Sequence, residues 1–594
     1  QYIITAQNSE AIASNLETRT ASKVPYPPSY NLGELSVLTQ AFRQVILFTG
    51  GKTSLVWDGV VTSVTVDKFD IGKTYKIDSI GDTVWTTVGA TTGTVGEVFV
   101  ATAAGTGTGT AFSGFTKVKS GAYEQPERLG NDANNTVITN NVVSVVSDLH
   151  GLVVGDEIVV VDPGSTTLIV GETYFVAIVV NANQFSFFAE KNNSALNQVH
   201  FTKPVSQGVG YVRMPAPPFG TYHGGRLVVP YEYTVGSTPD TYSDRKTKDE
   251  VIFSNGLDIN TYDDVPNTKQ LTAGTADFIV GLHSFSDDQL LIFNRNSIHT
   301  ITSTINISQA VTSLVTGEIG CVAKDSIVQV GSNLFFLSDS GIYGASFQDL
   351  YNLRGNEVPL SEAIDKTIRS INRNLWQNSS AVYFDNKYYI AVPLNSVDSS
   401  GEEVIATKNN VVLIYNFINK QWESIDSVPS FDYEKLIIAG EADNRGVYCV
   451  NSFGGVHLLE SRNDATDRIS SNPSGSNLIT TQPIEASLTT RDFTIGTTDR
   501  KKWNTFDIQV QSSPDFNILA KTTDIDYDLN LGNLASRLES GPLPENEDVS
   551  IRGRIGNSRA YAIQFTLNNF SGRPRIKSIK TSGGVSFNST NTAI

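Results

Sequence analysis

The chain has 594 residues, 39% of them hydrophobic and 18% charged, with 48 Gly and 21 Pro. That is enough apolar material for several packed cores, and it excludes an intrinsically disordered chain. The 44 Lys and Arg against 61 Asp and Glu leave a formal net charge of −17, which makes a poor non-specific nucleic-acid binder, since phosphate neutralisation needs Lys and Arg. The two cysteines, Cys321 and Cys449, make neither a disulfide framework nor a zinc site. Both fall inside apolar strands and read as small core residues. No run of 18 apolar residues spans a membrane, and residues 1–28 lack the basic and apolar regions of a signal peptide.

Residues 1–28 are polar and end in the Pro-rich run PYPP, which predicts an extended N-terminal arm. Residues 29–60 hold a β-hairpin, FRQVILFTGGKTSLVWDG, turning at Gly50–Gly51, and open a series of repeats. At about Val61 the composition shifts. Residues 61–115 are Gly/Thr-rich, with a GTGTGT run, and predict an inserted mini-β domain. This stretch resembles a short module of phage virion proteins, in which a G-x-x-Y-x-I strand (here Gly72, Tyr75 and Ile77) precedes a Gly/Thr run. Residues 116–134 return to the repeats. Residues 135–210 carry H-G-L-x-x-G-D, then Y-F-V, then N-x-F, through His150, Gly151, Gly155, Asp156, Tyr174, Phe175 and Phe185. They resemble the small β-barrel named after the first catalytic-cysteine half-domain of ubiquitin-activating enzymes. The insert has no cysteine, so no such chemistry is expected of it.

The repeats are clearest in residues 211–460. A short apolar strand, a polar turn and a second apolar strand recur at 284–303, 327–347, 381–394, 411–425 and 436–459. Repetition at roughly 40–50 residues is the signature of a radial β array such as a propeller. One helix is predicted, at 361–377, because Ile364, Ile368, Ile371 and Leu375 share a helical face. Residues 461–483 are polar and read as a linker. Residues 484–594 predict a C-terminal β unit in which Arg500, Lys501, Lys502, Arg552, Arg554, Arg559, Arg573, Arg575, Lys577 and Lys580 form a basic strip. That strip serves either as edge protection or as a contact with an acidic neighbour. The fold class expected is mainly β: a β-propeller host domain with two small inserted β-domains and a C-terminal β-sandwich-like unit.

No catalytic signature is found. GGKTS at 50–54 and IGKTY at 71–75 have Ile46 and Asp67 where a P-loop needs its first Gly. There is no G-x-S-x-G elbow and no H-E-x-x-H. The six histidines lack metal spacing, and DIDYDLNLG at 524–532 lacks the Gly and Glu of a calcium loop. No enzyme activity, metal or cofactor is expected. Paired carboxylates of a glycosidase need no motif, so a propeller that binds or hydrolyses host-surface polysaccharide stays open, with Asp339, Asp385 and Trp422 as candidates. A tail adaptor or baseplate component is a further alternative.

The stretches YHGGRLVVPY, VGLHSFSDDQLLIFNRNSIHTI, GEIGCVAKDSIVQVGSNLFFLSDSGIYGAS, SAVYFDNKYYIAVP and NVVLIYNFINKQWESI resemble those of the tail nozzle proteins of short-tailed phages. So does the C-terminal RDFTIGTTDRKKWNTFDIQV … RAYAIQFTLNNFSGRPRIKSI. These are also called tail tubular protein B or head-to-tail stabilising proteins. The likeness covers about 400 residues outside the inserts and rests on order and pattern. It implies a virion protein in the phage tail that assembles as a homo-oligomeric ring, usually a hexamer, below adaptor and portal-side proteins. Genomic DNA would pass through the lumen without sequence-specific binding, and tail fibres would attach outside.

Overall fold

The computed structural model describes residues 2–7, 10–27, 30, 32, 36–48, 54–70, 72–118, 126–129, 136–139, 142–146, 157–162, 173–181, 184–188, 200–204, 217–231, 250–257, 259, 262, 264–271, 277–349, 352–355, 358–398, 400–429, 431–441, 445–460, 466–470, 479–497, 500–511, 516–522, 525–533, 548–555, 559–569 and 575–585. The chain divides into two compact units. The first is Gln1–Ser427 with Asp432–Leu459, and the second is Val428–Phe431 with Glu460–Ile594.

The first unit is built from antiparallel sheets in chain order. An N-terminal sheet holds Tyr2–Gln7, Glu10–Asn15 and Ala21–Lys23. Blade 1 holds Val37–Ala41, Gln44–Phe48, Leu55–Trp57 and Thr116–Lys117. Blade 2 holds Thr221–His223, Arg226–Tyr231, Glu250–Phe253 and Thr268–Gln270. Blade 3 holds Ile279–Ser286, Gln289–Asn294, Ile298–Thr302 and Val311–Thr316. Blade 4 holds Val328–Val330, Asn333–Ser338, Gly341–Asp349 and Asn352–Gly355. Blade 5 holds Ser380–Phe384, Lys387–Val392, Val411–Asn416 and Gln421–Asp426. Blade 6 holds Lys435–Ala439, Gly446–Val450 and Val456–Leu458.

Successive sheets pack face to face, and the period-2 geometry of a strand makes this possible. In Gln289–Asn294, Leu290 and Ile292 pack against Val228, Val251 and Phe253 of blade 2. The alternate residues Leu291 and Phe293 pack against Leu334 and Phe336 of blade 4. In blade 4, Phe335 and Leu337 turn the other way, onto Tyr388, Ile390 and Leu413 of blade 5. In blade 1, Ile46 and Phe48 meet Leu227 and Val229 of blade 2, while Leu47 and Leu55 meet Ala11, Ala13 and Val24 of the N-terminal sheet. Each central strand is thus buried on both faces, which is why it reads as a continuous apolar run.

The first strands of successive sheets lie side by side, so the sheets converge at that end. An ion pair makes the same point. Asp325, in the turn that opens blade 4, meets Lys435 at the start of blade 6, across the first strand of blade 5. This is the radial arrangement of a β-propeller.

The second unit is a sandwich of two four-stranded sheets. One holds Ala486–Thr489, Ile563–Asn569, Phe516–Thr522 and Ile525–Asn533. The other has Lys501–Gln511 at its centre, paired with Asp548–Arg554 and Arg559–Ala560 on one side and with Arg575–Val585 on the other. Trp503, Phe506, Ile508 and Val510 of one sheet meet Ile563, Phe565 and Leu567 of the other.

Five sequence expectations are corrected. Residues 1–28 are not an extended arm: they contain the N-terminal sheet, whose small Ala11 and Ala13 seat closely on Trp57 and Phe115. Residues 116–134 are not wholly propeller, because Pro126–Leu129 pairs with His200–Pro204 in the second insert. Among the described residues that insert shows no single closed barrel. It has two four-stranded sheets with Val143, Val145, Ile158, Phe185 and Phe187 buried among them. The helix at 361–377 shrinks to Asp365–Arg369, flanked by 3-10 turns at Glu362–Ile364 and Trp376–Asn378. Asn372 donates its backbone N–H to Pro393 O and its amide to Ala406 O, and Ile371 bridges Leu394, so tertiary bonds displace the helical ones. Ile364, Ile368 and Ile371 of the apolar stripe still face inward, on the blade 4–5 core. Lastly, the linker at 461–483 contains an antiparallel pair, Thr466–Ser470 with Ile479–Pro483.

The first insert has its own sheet, with Val66, Tyr75, Ile77, Trp85 and Phe99 in the core. The glycines of GTGTGT are required by space there: a Cβ at Gly109 would lie 2.6 Å from Trp85 Cζ2.

Candidate functional site

Of the ten basic residues singled out in the C-terminal unit, the structure gathers six on one exposed sheet face. Lys501–Gln511 alternates: Trp503, Phe506, Ile508 and Val510 point into the sandwich, and Thr505, Asp507 and Gln509 point out. Register then fixes the outer neighbours. Arg552 and Lys580 flank Asp507, Arg554 and Ser582 flank Thr505, Ser550 and Ser578 flank Gln509, and Arg575 lies beside Gln511. A bulge between Trp503 and Thr505 keeps Lys502 exposed, next to Gly584. Lys577 is also exposed and reaches Asp548 at 2.5 Å.

Six cations therefore face two carboxylates. Asp507 accepts from Ser550 Oγ at 2.6 Å and from Arg552 Nε at 3.0 Å. The Ser550 hydroxyl, with Arg552 and Lys580, holds its carboxyl below the usual range against the opposing effect of burial. Lys502, Arg554 and Arg575 make no ion pair among the described residues.

The other four residues of the strip stand apart. Lys501 is on the inner face, 1% exposed, donating Nζ to Thr497 O at 2.7 Å and Tyr561 O at 3.0 Å. Its sequence neighbours gave no sign of this, because the inward phase is set by Trp503. Arg500 is exposed beyond the strand end. The Arg559 side chain and Arg573 lie outside the described residues.

Residue constellations elsewhere resolve into structural roles. Ser297 Oγ donates to Asp277 Oδ2 at 2.7 Å and lies 3.2 Å from His299 Nε2. The serine proton is engaged by the carboxylate rather than the imidazole, which is not the order of a nucleophilic triad. Ser452 Oγ lies 2.5 Å from Lys408 Nζ but donates to Asp432 Oδ2 at 2.7 Å, so its proton too is engaged. His223 is 1% exposed, with Nδ1 at 2.8 Å from Ser284 Oγ and Nε2 at 2.6 Å from Thr304 Oγ1, joining blades 2 and 3. Burial lowers its pKa to about 4, outweighing Asp288 and Asp287. Burial pushes the thiols of Cys321 and Cys449 up to about 12, as inert core groups. His150, Gly151, Gly155 and Asp156 lie outside the described residues. Among the described residues, no group of three His, Cys, Asp or Glu is placed to hold a metal, and no helix is long and apolar enough to cross a membrane.

The glycosidase candidates separate. Asp339 lines a cleft of about 270 Å³ with Asp365, Arg369, Arg373 and Trp376. Asp385 occupies a left-handed turn (φ 48°) between two strands of blade 5. Trp422 packs on Tyr415 and donates its indole N–H to Leu360 O.

No family model matches the chain, and no curated protein matches it. Solved structures do. The chain is similar to Sqt1 of Saccharomyces cerevisiae, with 8% identity over 77% of this chain and 91% of that one at a TM-score of 0.32. It is similar to YCF48 bound to D1 peptide, with 10% identity over 57% and 84% at a TM-score of 0.26. It is similar to the endosialidase of phage phi92, with 11% identity over 81% and 76% at a TM-score of 0.20. By its own sheet order the chain is a mainly β protein: a β-propeller carrying two inserted β-domains and a C-terminal β-sandwich.

Proposed function

We propose that this chain is a structural virion protein, the tail nozzle of a short-tailed phage. In this reading, copies form a ring that continues the portal and adaptor channel, retains packaged DNA, guides its ejection and offers tail fibres a surface. The sequence resemblance gives the reading its content. The observation that carries it is the partition of charge. Residues 460–594 hold 15 Lys or Arg and 15 Asp or Glu, leaving 29 and 46 for residues 1–459, so the whole net charge of −17 belongs to the propeller and its inserts. An acidic wall repels DNA and lets it slide, while a neutral unit with a basic face suits protein contacts. The test is an electron-microscope image of the purified protein and of the particles that carry it. A closed ring on the tail axis is expected; a protein that stays monomeric in particles, or a ring with a basic inner wall, sinks the reading.

A second reading has one observation in its favour. Trp376 in the Asp339 cleft carries the guanidinium of Arg295 at 5.1 Å and that of Arg373 at 5.6 Å, and an aromatic beside cations and carboxylates is a setting that sugars use. Hydrolysis or binding of host-surface polysaccharide, abolished by Trp376→Ala, would favour it.

A further inference from the structure

We infer that the basic face of the C-terminal sandwich docks a second copy of this chain, and that the docking element of that copy is the hairpin 394–406 of blade 5. This rests on the reading that copies assemble, and it names the surfaces by which they do so.

The receiving face is polar. Arg554, Arg552, Lys580, Lys502 and Arg575 are set among Thr505, Gln509, Ser550, Ser578 and Ser582. Strands about 4.8 Å apart, with outer residues about 7 Å apart along each strand, spread these cations over a surface the width of a two-stranded ribbon. Asp507 and Asp548 neutralise part of the charge through Arg552 and Lys577, and among the described residues Lys502, Arg554 and Arg575 have no ion-pair partner.

The hairpin has the complementary character. Ser396–Val397 and Glu403–Val404 form a two-stranded sheet separate from the blade they leave. Asp398, Glu402 and Glu403 are exposed, with no Lys or Arg between 394 and 406. Val397, Val404 and Ile405 are 69%, 48% and 62% exposed. Their exposure leaves apolar area on the ribbon for a partner to cover.

The element is pre-organised. Asp398 Oδ1 accepts from the backbone N–H of Ser400 and Glu402 at 2.8 and 2.9 Å. Asn395 bonds Glu403 at 3.0 Å and accepts from Ala406 N at 3.0 Å. A rigid ribbon loses little entropy on docking. The occupant is a copy of the same chain because the charge partition makes residues 1–459 the acidic partner that every molecule meets in its own solution. A contact between unlike surfaces of identical chains is head-to-tail, which closes into a ring or runs on as a filament.

The test uses the full chain. One variant reverses the hairpin (E402K/E403K), and another reverses the face (K502E/R554E/K580E). All five positions are solvent-facing, and unchanged circular dichroism and melting confirm folding. Sedimentation velocity of the wild type should show concentration-dependent assembly that weakens with salt. Each variant alone should lose roughly tenfold or more in self-association, since like charges then oppose. An equimolar mixture of the two variants should recover it, because each reversed surface then meets an opposite one.

If wild type and both variants form the same rings, the docking assignment falls while the ring reading stands. If the wild type stays monomeric at all concentrations, both fall. If the wild type stays monomeric yet binds a duplex oligonucleotide through Lys502, Arg554 and Lys580, the face is a polyanion site and the inference is overturned.

Discussion

The two units use the same β-strand in opposite ways. In the propeller, Gln289–Asn294 is buried at every position, and Lys387–Val392 and Val411–Asn416 at all but one. In the C-terminal sandwich, Ile563–Asn569 and Lys501–Gln511 alternate between buried and open. A strand covered on both faces spends all its side chains on neighbouring sheets. A strand covered on one face keeps half of them for another molecule. The difference accounts for where candidate chemistry is found: the propeller interior offers engaged hydroxyls, buried imidazoles and inert thiols, and the sandwich offers an open charged face.

The sharpest way to break this comparison is to empty one core at a time. Phe336→Ala removes a ring packed 5.1 Å from Phe293 between blades 3 and 4, and Trp503→Ala removes the largest buried side chain of the sandwich. Each should cost about 3–5 kcal/mol. If the units are distinct cores, calorimetry will show each substitution lowering a different transition. A single transition moved equally by both would mean one cooperative core.

Acid should distinguish the units next. His223 is buried neutral, with a pKa lowered from 6.5 to about 4. The unfolded chain then binds the proton more readily, so the stability His223 contributes is complete above pH 6.5 and declines as pH falls toward 4. The slope is about 1.4 kcal/mol per pH unit, up to roughly 3 kcal/mol. The propeller transition should follow this slope, and His223→Gln should flatten it. The sandwich transition should not change between the two proteins.

The smallest effect concerns Asp325. Burial pushes its carboxyl up, but Lys435 and Lys324 outweigh that and hold it well below the usual range. Its contribution is therefore present above the ordinary carboxylate value near 4 and is lost only as pH falls further, through the lowered folded value. With Asp325 29% and Lys435 40% exposed, Asp325→Asn should cost only about 1 kcal/mol in urea at pH 7. The gap between variant and wild type should close at low pH.

Much of the propeller was legible in sequence because two-faced burial writes long apolar runs separated by polar turns, as at 284–303 and 327–347. The N-terminal sheet was not, because its contact face is built from Ala11, Ala13 and Val24, small residues that carry little hydrophobic signal. The helix at 361–377 misled for the opposite reason: its apolar spacing is real and points at the core, yet hydrogen bonds to Pro393 and Ala406 outcompete helical ones. In the basic strip, charge alone could not separate Lys501 from Lys502. Only the inward phase set by Trp503 does so, and that phase requires the partner sheet. The hairpin 394–406 falls between the repeats at 381–394 and 411–425, and its significance lies in exposure rather than pattern.

The first insert leaves blade 1 after Leu55–Trp57 and returns at Thr116–Lys117, and Val56 pairs directly with Thr116. The chain therefore departs and re-enters at adjacent strands of one sheet, so the excursion of residues 58–115 starts and ends about one strand spacing apart. Gly114 seals the return, since a Cβ there would sit 2.0 Å from Pro25 O. Such a junction is a socket: any fold whose two ends lie side by side could be plugged into it without redrawing the blade. Cargo at this position can change while the blade beneath it keeps its strands.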